Sequence, residues 1–239
     1  SMIWIESPTN PLLKIIDIEE ICNFSNKMQI PVVVDNTFAT PLLQRPLKLG
    51  ATLSLTSTTK YINGHSDALG GAVCTESSAW KDKLNFAQKA LGLNPSPFDC
   101  WLITRGIKTL PLRLERQINN ASKIANQLAN NPLIKSVRYP FRNDHPQCKL
   151  AKRQMALGGA IVTATINANQ DQTYSFCKSL RFFKMAESLG GIESLVCHPA
   201  TMTHASVPKE TKLKIGITDS LIRFSVGCEN IEDLSADLN

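Results

Sequence analysis

One lysine occupies a setting that suits a reactive amine better than a surface charge. Lys60 follows a mixed run of apolar and small hydroxyl residues, 51–56, which predicts a buried strand. Glycines come soon after it, at Gly64, Gly70 and Gly71. We expect such a lysine to be desolvated, and desolvation favours the neutral amine, which is the form that attacks carbonyl groups. The alternative for this stretch taken alone is a solvated loop lysine, the commoner outcome for a short motif.

A carboxylate ends the strand predicted before it. The apolar run 31–34 closes with Asp35. A strand-end aspartate and a strand-end lysine can point into one pocket at the carboxyl edge of a parallel sheet. Pyridoxal phosphate requires an amine for a Schiff base and an anion for its pyridinium nitrogen. Asp35 and Lys60 together therefore indicate a site for this cofactor.

Four other places in the chain carry polar groups that could bind a ligand. Arg223 interrupts an apolar strand, and a buried arginine needs a partner. That partner is either a bound carboxylate or a structural ion pair, and the residues alone favour neither. Glu187 and Ser188 lie in a glycine turn and Thr203 in a polar loop, where ordinary turn and capping roles are the alternatives. Asn10, fixed between two prolines, either presents its amide to a ligand or closes an Asx-turn.

The elements that must position these residues are predicted to alternate between strands and helices. A strand over 3–6, a helix from Asp17 to about residue 27 and a strand over 32–35 form a βαβ unit, which favours a parallel sheet. We expect further strands over 51–56, 72–75, 134–139, 160–166, 194–197 and 221–225. We expect further helices over 45–49, 77–91, 98–105 (ended by Gly106), 109–130, 147–155, 172–180 and from 230 through Asn239.

Composition excludes several other classes of protein. The chain has 239 residues and a net charge of +6, but its basic residues are dispersed, so we expect no nucleic-acid partner. Its 7 cysteines and 4 histidines show no metal-ligand spacing, so we expect no metal and no disulfide framework. No apolar run approaches about 18 residues and no signal peptide is visible, so we expect no membrane span and a cytoplasmic protein.

Five motifs in order along the chain resemble the Cys/Met-metabolism PLP-dependent enzymes, the family that includes the cystathionine lyases and synthases. They are ESPTNP (6–11), VDNTF (34–38), STTKYINGHSD (57–67), AESLGG (186–191) and RFSVG (223–227). The resemblance covers nearly the whole chain. It implies an α/β, type I PLP-dependent transferase fold of the aspartate aminotransferase kind. It places part of the cofactor-binding large domain at 1–108 and a C-terminal α+β small domain at 109–239, opening with a long bridging helix.

The resemblance also implies roles for individual residues. Lys60 forms the Schiff base with pyridoxal 5'-phosphate. Asp35 pairs with the pyridine nitrogen, while the phosphate accepts hydrogen bonds from Ser57 and Thr59. The remaining positions bind the cofactor's ring hydroxyl or the amino-acid substrate, and they are Asn10, Arg223, Ser188, Glu187 and Thr203.

The activity that the resemblance implies is elimination or replacement at Cγ of cystathionine or a related sulfur amino acid, as in γ-lyases and γ-synthases. Cystathionine β-lyase, methionine γ-lyase or a catalytically inactive fragment are the alternatives. Family members are homo-oligomers, dimers or tetramers built from dimers. They also carry a segment before the ESPTNP motif, with a phosphate loop and a ring-stacking tyrosine, that this sequence does not show. We therefore expect a fragment with weakened or lost cofactor binding.

Overall fold

Two β-sheets organise the chain in the computed structural model, which describes residues 1–239. The first contains β1 (Ile3–Glu6), β2 (Val32–Asp35), β3 (Leu53–Ser57) and β4 (Gly71–Cys74) in that spatial order. The second contains β5 (Ile134–Arg138), β6 (Ile161–Ile166), β7 (Lys184–Met185), β8 (Leu195–Cys197) and β9 (Leu221–Ser225). Its spatial order is β5-β6-β9-β8-β7.

The first sheet is parallel through three strands and antiparallel at the fourth. The pairs β1–β2 and β2–β3 are parallel, whereas β4 runs antiparallel to β3. The parallel sheet predicted from the βαβ unit is therefore confirmed for β1, β2 and β3, and β4 adds an antiparallel edge. An antiparallel neighbour needs no crossover helix, and the glycine-containing segment between β3 and β4 returns the chain directly.

Nine α-helices complete the fold. They are α1 (Ile18–Lys27), α2 (Thr40–Leu43), α3 (Ser78–Leu91), α4 (Pro97–Ile107), α5 (Leu110–Ala129), α6 (Cys148–Gln154), α7 (Gln170–Ser179), α8 (Lys209–Ile215) and α9 (Ile231–Asp237). A 3₁₀ turn covers Pro46–Leu49, and a π-turn covers Thr58–Ile62. The elements missing from the prediction are α2, α8 and the two-residue β7, all too short to show a period in the sequence. None of the helices combines the length and the apolarity needed to cross a membrane.

Side-chain caps fix several helix starts where the sequence predicted them. The Asp17 carboxylate accepts a hydrogen bond from Glu20 N at 3.1 Å, and Ser77 Oγ accepts one from Trp80 N at 3.4 Å. Both bonds satisfy amides that have no partner within the helix. Asn169 forms a capping box that starts α7 two residues earlier than predicted.

Two predicted helix ends are wrong. Gly106 does not end α4, which continues to Ile107. The glycine serves a contact instead, because a Cβ there would lie 2.2 Å from Asn63 O. The last helix, α9, ends at Asp237 rather than running to residue 239, and its final turn tightens as Leu238 N donates to Ser235 O.

The main core contains 33 buried residues and lies where α5 packs on the second sheet. The apolar face of α5 supplies Leu110, Leu114, Ile118, Ala121, Ile124, Ala125 and Leu128 to it. These residues recur at three- and four-residue intervals, which is the spacing that indicates one face of a helix. A smaller core of 5 buried residues joins α1 to the first sheet. The division of the chain at residues 108 and 109 remains a prediction.

Candidate active site

Lys60 lies in the π-turn Thr58–Ile62, which we call the lysine turn, and not at the end of a strand as predicted. The turn begins directly after β3 and closes when Asn63 N donates to Thr58 O at 2.9 Å. Lys60 itself has φ −89° and ψ −125°, outside the helical region. Single π-turns of this kind and sparsely populated backbone angles recur at functional sites. The local pattern of residues could not distinguish this turn from a strand end.

The surroundings of Lys60 favour its neutral amine. The side chain is half-buried, and its pKa is lowered first by burial and then by the positive charge of Arg223. No carboxylate forms a salt bridge with it. The structure therefore agrees with the predicted desolvation, and Lys60 carries more uncharged amine than a surface lysine at the same pH.

Asp35 ends β2, and a threonine that the sequence analysis did not select ties it to β3. Asp35 Oδ1 accepts a hydrogen bond from Thr37 N at 3.0 Å. Thr37 Oγ1 in turn accepts one from Ser57 N at 2.9 Å. Thr37 thus fixes the strand-end carboxylate relative to the residue that precedes the lysine turn. Its only signal in the sequence was its place two residues after Asp35, where an aspartate commonly bonds a backbone amide.

A second carboxylate, Glu6, stands beside Asp35 and was also missed. The two residues are partners in the parallel pairing of β1 with β2. Burial raises the pKa of Glu6, and the charge of Asp35 raises it further, against a lowering by the hydrogen bond from Asn10 N. Glu6 therefore bonds the backbone at Asn10, and its uncharged form is favoured next to the Asp35 carboxylate.

Arg223 is buried on β9 with 1% exposure and has no ion-pair partner. One terminal nitrogen donates to Asn10 Oδ1 at 2.9 Å. The other donates to the carbonyl oxygens of Glu187 and Ser188 at 2.8 and 3.1 Å. Its Nε is buried without a partner. The structural ion pair left open by the sequence is therefore absent, and the guanidinium keeps an uncompensated charge with N–H groups to spare.

The glycine turn, residues 186–191, meets the lysine turn directly. A Cβ on Gly190 would lie 2.9 Å from Tyr61 N and 3.2 Å from the Cβ of Lys60, and Gly190 has φ +80°. Its amide donates to Ser225 Oγ at 2.9 Å. Two motifs that are 130 positions apart (Lys60 to Gly190) are thus in contact. Glu187 and Ser188 take part through their carbonyl groups, and the roles predicted for their side chains remain predictions.

The other predicted residues lie around this centre. Thr203 Oγ1 and His204 Nδ1 share a hydrogen bond of 2.9 Å. Burial lowers the pKa of His204, and the charge of Arg223 lowers it further. Thr59 Oγ1 accepts a bond from Gly70 N at 3.0 Å, so its hydroxyl is already engaged at the turn toward β4.

A cleft of about 570 Å³ lies next to these groups. Thr59 and Ser188 line it, together with the carboxylates of Asp67, Asp99 and Glu193. Lys60, Asp35 and Arg223 do not line it, so the cleft adjoins the site but does not contain its reactive groups.

The donor set fits pyridoxal phosphate. Lys60 supplies an amine without a salt-bridge partner. Asp35 supplies a carboxylate, and one of its oxygens accepts one hydrogen bond, from Thr37 N. Arg223 supplies a cation with its buried Nε free. An amine, an anion for the ring nitrogen and a cation for a carboxylate are the groups that chemistry on an amino acid with this cofactor requires.

Known proteins resemble this chain over its full length. The profile of the Cys/Met metabolism PLP-dependent enzyme family matches residues 1–239. The cystathionine gamma-lyase of Dictyostelium discoideum is 48% identical over 238 residues, covering 100% of this chain and 62% of that protein. The cystathionine beta-lyase of Coxiella burnetii is 45% identical, covering 99% of this chain and 62% of that protein.

A solved structure agrees with these relatives. The cystathionine gamma synthase of Xanthomonas oryzae pv. oryzae, in complex with aminoacrylate and cysteine, superposes with a TM-score of 0.97 at 44% identity. The match covers 99% of this chain and 61% of that one. The predicted α/β fold is therefore confirmed, while the chain spans less than two thirds of the length of each of these relatives. By its profile match and these identities, the chain belongs to the Cys/Met metabolism PLP-dependent enzyme family.

Proposed function

We propose that the protein is a PLP-dependent enzyme that breaks or exchanges the carbon–sulfur bond at Cγ of cystathionine or a related sulfur amino acid. One observation carries this proposal. Lys60 is half-buried, and its pKa is lowered by burial and by the charge of Arg223, a buried arginine without an ion-pair partner. An amine with a lowered pKa, next to a cation that can bind a carboxylate, suits proton removal from the α-carbon of an amino acid.

Bound pyridoxal phosphate supplies an electron sink for the bond that breaks at the substrate's α-carbon. Lys60 Nζ, in its neutral form, takes the proton from that carbon and can return a proton to the carbon skeleton. We assign Asp35, at the end of its strand, to holding the ring nitrogen in its protonated state. We assign the phosphate to Ser57 and Thr59, as the family resemblance implies; the Thr59 hydroxyl, which donates to Gly70 O at 3.3 Å, would have to turn to the phosphate.

The substrate's α-carboxylate is assigned to Arg223. Three of the five guanidinium N–H groups are used by Asn10, Glu187 and Ser188, which leaves Nε and one terminal N–H. The bonds to Asn10 and the glycine turn hold the guanidinium plane in place before a ligand arrives, which reduces the entropy lost on binding. We further assign substrate contacts to Asn10, Ser188, Glu187 and Thr203.

Elimination at Cβ is the second candidate. The Coxiella burnetii relative, at 45% identity, is a cystathionine beta-lyase, so a β-lyase and a γ-lyase are nearly equally similar to this chain. Both reactions begin when Lys60 removes the α-proton. Elimination at Cβ then expels the thiol directly, whereas elimination at Cγ first needs a second proton removed from Cβ, a step that we also assign to Lys60. Glu187, in the AESLGG form of the glycine turn, is the residue that favours the Cγ reaction in our reading of the motif.

We also propose that the protein is a cytoplasmic homo-oligomer, a dimer or a tetramer. All 7 cysteines are free, which suits a reducing compartment. Large apolar side chains are exposed on α4 and at the start of α5, where Phe98 stacks on Trp101 at 5.9 Å between ring centroids and Leu112 is exposed. Clustered exposed apolar side chains are typical of contact surfaces between subunits. Sedimentation of the purified protein at several concentrations would test this assembly.

Turnover of cystathionine tests the proposed activity. The protein, saturated with added pyridoxal phosphate, would be given cystathionine and its products identified by mass. Hydrolytic elimination at Cγ yields cysteine, 2-oxobutanoate and ammonia, whereas elimination at Cβ yields homocysteine, pyruvate and ammonia. Lys60→Ala is the control and should form neither set. A chain that binds the cofactor but forms neither set would contradict the proposed activity and favour the catalytically inactive alternative.

A further inference from the structure

A row of buried polar side chains runs along α5 beside its apolar face. Arg113, Gln117 and Asn120 are 7%, 0% and 2% exposed, so all three lie in the interior. Buried polar groups are stable only when hydrogen-bonded, so each needs a specific partner. All three find it in backbone carbonyl groups outside α5.

The guanidinium of Arg113 binds the lysine turn. NH1 donates to Tyr61 O at 2.9 Å, and NH2 donates to Ile62 O at 3.3 Å and Gly106 O at 2.9 Å. Nε donates to Thr109 Oγ1 at 2.9 Å. The arginine thus binds the carbonyl groups of the two residues that follow Lys60.

Gly64 shows how closely this guanidinium fits. A Cβ on Gly64 would lie 2.0 Å from Arg113 NH1, and Gly64 has φ +74°. Only a residue without a side chain leaves room for the arginine at this point, and the left-handed backbone favours glycine as well. The close packing holds the guanidinium against the chain just beyond the lysine turn.

One helical turn further along, α5 contacts the glycine turn. Gln117 Nε2 donates to Gly191 O at 2.6 Å. Asn120 Nδ2 donates to Gly227 O and Glu229 O, both at 3.0 Å, just beyond β9. Residues four apart on a helix lie on one face and are separated by about 6 Å along the helix axis. The helix therefore holds the lysine turn and the glycine turn at a fixed separation.

We propose that Arg113 and Gln117 are positioning residues, which set the Lys60 amine relative to Arg223 by fixing the lysine turn and the glycine turn on one rigid helix. The glycine turn provides the two carbonyl oxygens that orient Arg223. The two turns also touch at Gly190, and Ile192 N donates to Gly64 O at 3.0 Å, so loss of one α5 contact should loosen their relative position without separating them. The consequence for catalysis rests on the proposed function, but the geometric claim can be tested without it.

The test is the pH profile of Lys60 acetylation in the protein without cofactor. Limiting acetic anhydride would be applied across a pH series and the peptide containing Lys60 quantified by mass. Arg113→Met and Gln117→Leu should raise the pH at the midpoint of Lys60 acetylation, toward the value of an ordinary lysine. The reason is that Lys60 then loses part of its burial and its proximity to Arg223. The shift should be larger for Arg113→Met. Amide exchange in residues 58–64 should quicken by at least about tenfold in this variant.

Gln127→Leu is the matched control. Gln127 lies on the same helix and its Nε2 donates to Ser235 O at 2.8 Å, the same kind of bond but remote from both turns. This variant should lose a little stability and leave the Lys60 midpoint unchanged. If the polar row only stabilised the fold, Gln117→Leu would leave the Lys60 midpoint unchanged, as Gln127→Leu does.

The proposal is overturned if Arg113→Met or Gln117→Leu folds and its Lys60 shows the same acetylation midpoint as in the wild type. If Arg113→Met does not fold, Arg113→Lys, which keeps the charge but cannot reach all three carbonyl groups, and Gln117→Leu decide the matter. Since the measurement uses no cofactor or substrate, its failure would leave the proposed activity untouched. Failure to turn over cystathionine would likewise leave this result standing.

Discussion

Two buried arginines, set in different regions of the molecule, use their guanidinium groups in different ways. Arg113 on α5 and Arg223 on β9 are 7% and 1% exposed, and neither forms a salt bridge. Burial lowers the pKa of both. Every nitrogen of Arg113 donates to a backbone or hydroxyl oxygen, whereas the Nε of Arg223 has no partner.

The difference indicates which arginine binds a ligand. A fully bonded buried guanidinium stabilises the backbone around it, and its removal leaves several carbonyl groups unpaired. A partly bonded one keeps N–H groups and charge for an incoming anion, and its existing bonds fix its orientation. We therefore assign Arg113 to the support of the lysine turn and keep Arg223 as the proposed carboxylate-binding residue. The comparison predicts that substitutions at the two positions change different measured quantities.

The largest expected effect is on stability, at Arg113. Arg113→Met should lower the free energy of unfolding by about 3 kcal/mol, because Tyr61 O, Ile62 O and Gly106 O lose their donor in the interior. Urea denaturation followed by circular dichroism would measure it. Arg116→Met is the control, because Arg116 is an exposed residue of the same helix. It should change stability by less than about 0.5 kcal/mol. Equal effects at the two positions would contradict the account of Arg113.

Arg223 should instead show its main effect in binding. In the protein loaded with pyridoxal phosphate, Arg223→Met should weaken the affinity for glycine, used as a probe with an α-carboxylate, by about 10- to 100-fold. Titration calorimetry would give the dissociation constants. The Arg116→Met protein should bind the probe as the wild type does. If Arg223→Met retained full affinity, the carboxylate would have to bind elsewhere.

A pair of glycines isolates the fit of Arg113 against its neighbour. Gly64 and Gly92 both have left-handed backbones, with φ +74° and +66°, but only at Gly64 would a Cβ meet Arg113. Alanine at either position carries a conformational penalty of about 1 kcal/mol. Gly64→Ala should destabilise by about 2 kcal/mol more than Gly92→Ala because the guanidinium must move. Similar unfolding midpoints for the two variants would show that the contact is easily relieved.

The smallest effect concerns the pH dependence of stability. The folded-state pKa of Lys60 is lowered, first by burial and then by Arg223. Between this folded-state pKa and the ordinary lysine value, the unfolded chain binds more protons than the folded one, so stability rises with pH in that window. Lys60→Met should remove this contribution. The measurement is the difference in urea midpoint between the two proteins from pH 7 to pH 10, which should grow in favour of the wild type as pH rises.

Local patterns in the sequence predicted those elements that local interactions determine. The strand at Val32–Asp35 and the helix capped by Asp17 lie where apolar runs and capping residues placed them. The apolar face of α5 was likewise visible from its spacing. The π-turn at Lys60 was not, because it depends on bonds to the following glycine segment rather than on residue preferences.

The sequence named candidate residues for the site but could not predict the contacts between them. Arg223 was recognisable because a charge interrupts an apolar strand, yet its bonds to Asn10 and to residue 187 span 213 and 36 positions. Arg113 gave no signal, since an arginine on a helix in a basic protein is ordinarily a surface residue. Contacts between distant segments decide both cases, and no short pattern records them. The roles assigned to Ser57, Thr59 and the substrate-binding residues stay predictions.

The central claim is that Lys60 is the cofactor lysine, and borohydride reduction with added pyridoxal phosphate tests it most directly. Because reduction makes the bond permanent, it records even a weakly held cofactor, and peptide mass mapping then locates it. We predict a phosphopyridoxyl group on Lys60 in preference to the other lysines, and its loss from that peptide in Lys60→Ala. Absence of an adduct, or labelling spread evenly over the lysines, would contradict the claim.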